Sequence, residues 1–257
     1  MKQVADAVKQ FQIEKERDIQ AMTRDKSTKR IGRLFMDHVL DYKYGYYYTW
    51  MGRPIIQQPQ DIVALQEVIM EVQPDLIIET GIAHGGSLVL SASMLELLDI
   101  WMPLQKFRRE VVGIDIDIRA HNRTAIEAHP MFRKITMLEG SSTDERIAEQ
   151  VRSIASNHGK IMVLLDSCHT EEHVLREMEI YGPLVSPGSY LVVYDTVVEF
   201  VDKIYTDRPW GRGNNPYTAV QKFLAEHDEF SVDEGIEQKN RYYLMSGRLA
   251  KKKRVDR

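Results

Sequence analysis

Cysteine, charge of one sign and long apolar runs are all scarce in this chain. Cys168 is the single cysteine of 257 residues, so no disulfide forms within the chain and no cysteine-based zinc site can be built. The formal net charge is -4, which removes a global electrostatic case for binding nucleic acid. No apolar run approaches the roughly 20 residues that span a membrane, leaving only association with a membrane surface. Residues 1–20 mix Lys, Asp, Glu and Arg at short intervals, unlike the apolar core of a secretory leader, and a cytoplasmic location is expected. Two phosphate-binding signatures are also missing. There is no G-K-[ST], which excludes the loop of nucleotide hydrolases, and no G-x-G-x-x-G, the dinucleotide fingerprint.

What is present is ordinary for a soluble globular protein: 43% apolar and 28% charged residues, enough for a full core. The length suits one α/β domain with decorations. Residues 1–60 read as a helical arm and an aromatic segment. The arm holds two amphipathic helices that split near "RDKSTK" and pack on the core or on a second subunit. The segment that follows, "DYKYGYYYTWMGRPIIQQPQD", is too aromatic for a linker. Asp61 is expected to cap a helix through about Glu71. From there to residue 250, strands and helices alternate: "LIIET", "VVGIDI", "ITMLEG", "IMVLLD" and "YLVVYD" are the strands, with helices between them, and "RYYLMSGRLA" closes the series. Such runs predict a mostly parallel sheet covered on both faces, with ligands at the carboxyl ends of its strands. Residues 251–257 read as a basic, frayed tail.

The stretch "LIIETGIAHGGS" ends the first of these strands in a glycine turn. Gly81 permits close approach of a ligand, and Gly85 and Gly86 clear the entry to the next helix. Glu79 would repel a pyrophosphate and suits a cation instead. S-adenosylmethionine, with an ammonium, a sulfonium and no phosphate, fits that demand. On the second strand Asp115 is placed to accept both ribose hydroxyls, and "LEGSST" offers Gly140, Ser141 and Ser142 near an adenine.

The fourth and fifth strands end in "LLDSCHT" and "VVYDTVVEF", which sets Asp166 and Asp195 side by side. Two neighbouring carboxylates repel unless a cation lies between them, and Mg²⁺ (or Mn²⁺) with oxygen ligands serves. His169, three residues on, can face the metal without ligating it and take a proton from a hydroxyl made more acidic there. His173 reads as helix surface, and Cys168 is not supported as a nucleophile. The loop "DRPWGRGNNPYTAV" is expected to be a flexible lid, with Trp210, Asn214 and Asn215 facing an acceptor.

The motifs "WMGRPI", "PDLIIETGIAHGGS", "GIDIDIR", "LLDSCH", "YLVVYDT" and "GRGNNPYTAV" together resemble the cephalosporin hydroxylase family of S-adenosylmethionine-binding proteins. That family also holds sugar O-methyltransferases of macrolide pathways and rhamnosyl O-methyltransferases of glycolipid pathways. The resemblance implies a Rossmann-like class I methyltransferase fold with a seven-stranded sheet, and methionine contacts around Glu79, Gly81 and Ser87. It implies a metal ligand at Asp166, a base at His169 and a sugar or glycosylated small-molecule acceptor. The family's Glu-Asp pair is Tyr194-Asp195 here, so one acid ligand is replaced, with Thr196 or water to fill the vacancy. The competing reading is an accessory protein that binds the cofactor without chemistry. Oxidation of a β-lactam is disfavoured, since no triad of two histidines and a carboxylate for iron is evident.

Overall fold

The computed structural model describes residues 2–103, 108–202, 206–233, 235 and 248–253. Two helices, α1 (Lys2–Arg24) and α2 (Lys26–Val39), lead into a short hairpin, β1 (Tyr48–Trp50) and β2 (Arg53–Ile55). Asp25 separates the helices because its carboxylate caps α2, accepting from the Ser27 and Thr28 N–H groups, as an N-cap does. Helix α2 packs Met36 against Val197 and Val201, whereas Phe11 of α1 and Ile31 of α2 stay exposed.

The body then alternates: α3 (Pro59–Val72), β3 (Leu76–Thr80), α4 (Gly86–Trp101), β4 (Glu110–Asp115), α5 (Ala120–Glu127), β5 (Ile135–Glu139), α6 (Glu145–Ala155) and β6 (Ile161–Leu165). It continues with α7 (Glu171–Tyr181), β7 (Tyr190–Val193), α8 (Pro216–Glu226), β8 (Phe230–Val232) and β9 (Arg248–Lys252). Seven of these strands form one sheet in the order β5-β4-β3-β6-β7-β9-β8. β3 to β7 run parallel, and β9 lies antiparallel between β7 and β8. Every residue of β3 and β6 is buried, which is why those strands read as unbroken apolar runs. Alternate residues serve opposite faces: Ile77, Val111 and Met162 join the core under α3 and α4, while Ile78, Val112 and Val163 join that under α6, α7 and α8. Burying each such side chain contributes ~1.5–3 kcal/mol.

The chain order reverses between β3 and β6, and the crevice at such a reversal is where open α/β sheets bind ligands. Three local expectations change. Asp61 is not the N-cap of α3: Gln58 is, Pro59 opens the first turn, and Asp61 is buried within that turn. Proline tolerates the first helical position because no partner exists there for an N–H. The closing strand covers Arg248–Lys252, and the earlier part of "RYYLMSGRLA" lies outside the described residues. Lys251 and Lys252 are therefore sheet residues, not a frayed tail. Lys251 Nζ reaches Glu71 at 2.7 Å and Lys252 Nζ reaches the Pro183 carbonyl at 3.2 Å, their stems lying along the sheet.

Candidate active site

The glycine turn after β3 is shaped by the protein's own packing. Gly81 has φ 88°, and a Cβ there would lie 2.0 Å from the Asp166 carbonyl oxygen. Gly85 (φ 82°) faces the Ile126 side chain at 2.4 Å, and Gly86 faces the Pro54 carbonyl at 2.2 Å. A side chain at these glycines would thus meet the β6 loop, α5 and the β1–β2 hairpin, so the protein's own packing already requires glycine there. Gly140, after β5, backs onto Ile147 in the same way.

Asp115 closes the turn from the next strand. Its Oδ2 accepts from the N–H groups of Ile82 (2.8 Å) and Ala83 (3.2 Å), and Oδ1 from Asp117 N–H (3.1 Å). A carboxylate has about four acceptor positions, so these three backbone groups use much of its capacity and fix its orientation. Ser87 donates its hydroxyl hydrogen to Glu79, and Ser91 approaches the other Glu79 oxygen at 3.4 Å. Glu79 is buried, and that burial outweighs the two serines and pushes its pKa up to about 7.

A raised carboxylate binds its proton more tightly folded than unfolded, so stability should fall as pH climbs from about 4.5 to about 7. The shift corresponds to on the order of 3 kcal/mol. In chelator and without cofactor, the melting temperature should decline across that window, and Glu79→Gln should flatten the decline. An equally steep decline in the variant would show that other groups cause it.

Asp166 leaves the end of β6, its N–H donating to the Thr80 carbonyl at 3.0 Å. Asp195, two residues beyond β7, takes a left-handed φ of 55°, a conformation short polar residues adopt more readily than most. His169 brings Nε2 to 3.3 Å from Asp195 Oδ2. Asp166, His169 and Asp195 each offer one ligand atom, all within 4.8 Å of one another. His169 is therefore placed as a candidate ligand as well as a base. Burial, then Asp195, Glu79, Asp61 and Glu177, drive the Asp166 pKa well above its ordinary value. A set of carboxylates this poorly compensated matches a divalent cation in charge and in donor type.

Tyr194 points inward and is buried. Burial first, then Asp166, Glu79 and Asp61, raise its phenol pKa, so it stands as a neutral donor among acids. Its hydroxyl, Gln57 Oε1 and Gln58 Oε1 are buried without a hydrogen-bond partner of good geometry. Such buried, unpartnered polar atoms, with Tyr194 close enough to feel the Glu79 charge, suit a polar, cationic ligand.

The loop before α8 is pinned rather than free. Asn214 accepts from Glu171 N–H (3.0 Å) and donates to the Pro209 carbonyl (3.0 Å). Asn215, wholly buried, is the N-cap of α8 with a capping box and donates to Glu199 Oε2 at 2.6 Å. Such a cap is worth ~1 kcal/mol. Both asparagines hold the loop itself, Asn215 from a buried position and Asn214 from an exposed one. Trp210 turns to the site, its ring 4.9 Å from that of His169, edge to face. Glu199, the anchor of this loop, escaped notice in the sequence because nothing local ties it to Asn215. His173 is also not surface. Its Nε2 lies 3.1 Å from Ser142 Oγ and 3.2 Å from Ser167 Oγ. The i, i+4 spacing of His173 and Glu177 was the available signal.

Comparison with known proteins agrees with this architecture. A family described as "Rhamnosyl O-methyltransferase/CmcI" matches residues 42–249. Rhamnosyl O-methyltransferases of Mycobacterium bovis and Mycobacterium tuberculosis are 35% identical over 187 residues, 72% of this chain and 68% of theirs. The Mycobacterium leprae protein of that name is 34% identical over 149 residues, 58% of this chain and 60% of its own. Two solved structures share the fold. CmcI-N160 without ligand has a TM-score of 0.57 at 17% identity, covering 82% of this chain and 78% of its own. CmcI-D160 with Mg and SAM has a TM-score of 0.55 at 18% identity, covering 80% and 77%.

Proposed function

The chain belongs to the rhamnosyl O-methyltransferase/CmcI family, and on that premise we propose that it is an S-adenosylmethionine-dependent O-methyltransferase, assisted by Mg²⁺ or Mn²⁺, acting on a sugar hydroxyl. The observation that carries this reading is the convergence of Asp166, Asp195 and His169 at the sheet's carboxyl edge, one strand from the glycine turn and the buried Glu79. When bound, the cofactor supplies an electrophilic methyl group, and the cation makes a neighbouring hydroxyl more acidic.

The chain's own residues do the rest. Asp166 and Asp195 offer hard oxygen ligands for the cation. His169 accepts the acceptor's hydroxyl proton on its imidazole, and Asp195, 3.3 Å from Nε2, stabilises the imidazolium that results. Trp210 packs against the imidazole, limiting its rotation and its access to water. Glu79 faces the cationic end of the cofactor, Asp115 and Gly81 hold the turn beneath it, and Gly140, Ser141 and Ser142 border its adenine. The contribution of these groups is mainly orientation and electrostatics. The proximity of all three side chains also favours a second reading, in which His169 is the third protein ligand in place of the acid that Tyr194 replaces.

The decisive experiment uses methyl-labelled S-adenosylmethionine with rhamnosyl glycosides and other glycans as acceptors, with and without chelator. Label on a sugar oxygen is expected. Label transfer to none of these acceptors, with the cofactor bound, would favour an accessory role. We further infer self-association through the N-terminal arm, since Val8, Phe11 and Ile31 are more than half exposed. Sedimentation should detect a dimer or larger species that is lost on removing residues 1–24. A monomeric full chain would refute it. Among the described residues no helix is long and apolar enough to cross a membrane.

A further inference from the structure

Helix α7 carries His173, Glu177 and Tyr181 at successive i, i+4 positions, which lie on one helix face. That face meets two loops. Tyr181 donates to the Ser142 carbonyl at 2.6 Å. Glu177, wholly buried, accepts from Ser167 Oγ at 2.6 Å. Between them His173 Nε2 lies 3.1 Å from Ser142 Oγ, 3.2 Å from Ser167 Oγ and 3.4 Å from Glu177 Oε1. Ser142 belongs to the loop after β5, and Ser167 directly follows Asp166 in the loop after β6.

Ser167 gives its one hydroxyl hydrogen to Glu177, so toward His173 it can only accept. With Nε2 protonated, the ring can donate to Ser167 in the loop after β6 or to Ser142 in the loop after β5. With Nε2 unprotonated, it accepts from Ser142 in the loop after β5. One side chain thus serves as the reference for both loops, and Glu177 fixes which way Ser167 turns. Packing alone does not account for Glu177. Its second oxygen is buried with no partner, an arrangement that costs stability relative to an apolar side chain of similar shape.

Resting on the methyltransferase reading above, we propose that His173 and Glu177 are positioning residues that couple the loop beside the cofactor to the loop bearing Asp166, so that cofactor and cation bind cooperatively. Neither residue touches the reacting atoms in this scheme. A shift of the loop after β5 on binding the adenine is passed through the His173 ring and Ser167 to the Asp166 backbone.

The test is calorimetric titration of S-adenosylhomocysteine into the full chain, once in excess Mg²⁺ and once in chelator. The ratio of the two Kd values is the coupling factor, expected to be at least about fivefold in the wild type. Reciprocity requires the same factor in Mg²⁺ affinity measured with and without S-adenosylhomocysteine. His173→Ala and Glu177→Leu should bring the factor to within about twofold of unity. Glu177→Gln, which still accepts from Ser167, should retain it. Glu177→Leu removes a buried carboxylate but leaves the Ser167 hydroxyl without its acceptor, so its melting temperature is measured alongside and should stay well above the titration temperature. Lost coupling in that variant then reports positioning and not unfolding. A factor near unity in the wild type, or an unchanged factor in both disruptive variants, overturns the proposal. Failure of the wild type to bind S-adenosylhomocysteine in either condition brings down the methyltransferase reading instead, and the coupling with it.

Discussion

Asp166→Ala should abolish methyl transfer, with a rate loss beyond about 10³-fold, because several kcal/mol of cation-dependent stabilisation disappears with it. The loss should not come from unfolding. In the absence of a cation Asp166 is a burden on the fold: burial and the neighbouring Asp195, Glu79, Asp61 and Glu177 all oppose its ionisation. Both Asp166→Ala and Asp166→Asn should therefore melt at or above the wild-type temperature in chelator while remaining inactive. Chelation of the wild type should reproduce the loss, and Mg²⁺ or Mn²⁺ should reverse it. Tyr194→Glu supplies a further arm. It adds a carboxylate next to Asp166, Glu79 and Asp61, so it should lower stability in chelator and tighten cation binding. Full activity of the wild type in excess chelator would show that the two aspartates have another task.

His169→Ala should cost on the order of 10²–10⁴-fold in rate if the imidazole is the general base. Cation and cofactor affinity should then stay near wild type, because Asp166 and Asp195 remain. The second reading predicts a different pattern: if His169 is a ligand, cation affinity drops along with the rate, and higher Mg²⁺ recovers part of the activity. His169→Gln separates a third case. Glutamine can hold an acceptor by a hydrogen bond but does not take up its proton, so most of the activity surviving in that variant would make His169 an orienter. The base reading further requires that the fall in rate toward acid pH disappear in the alanine variant, since a protonated imidazole accepts nothing. Measured together, the rate, the cation affinity and the pH profile assign the role without reliance on any one of them. Trp210→Ala should weaken whichever role holds by a smaller factor, since it removes only the edge contact that steadies the ring.

Much of the frame was legible because it rests on local rules. Unbroken apolar runs separated by amphipathic helices already require a parallel sheet with two covered faces. The seven-stranded sheet follows that pattern, with β8 and the exact reach of β9 as the missed details. The ends of β3, β4, β6 and β7 were also legible, and with them the positions of Glu79, Asp115, Asp166 and Asp195. A strand's carboxyl end is set by its own sequence, and parallel pairing brings such ends to one edge.

What sequence could not supply was the partner of each polar group. Asp115 read as a ligand residue, and its role in closing the turn at Ile82 and Ala83 came only from the structure. Gly85 and Gly86 read as clearing the entry to the next helix, and the residues that press on them, Ile126 and Pro54, came only from the structure. Asn215 looked like a lid residue, yet it caps a helix and binds Glu199. His173 looked like surface, yet it stands between two site loops. In each case the partner lies on another element and the contact depends on side-chain direction, which spacing along the chain does not encode. The sequence alone thus determined which residue types stand at the carboxyl ends of the strands, because strand type and strand ends follow from periodicity, whereas the order of the strands in the sheet came from the structure. Only the tertiary structure decided which of those side chains are already engaged within the protein, because a hydrogen bond between distant elements is a matter of ångströms and angles.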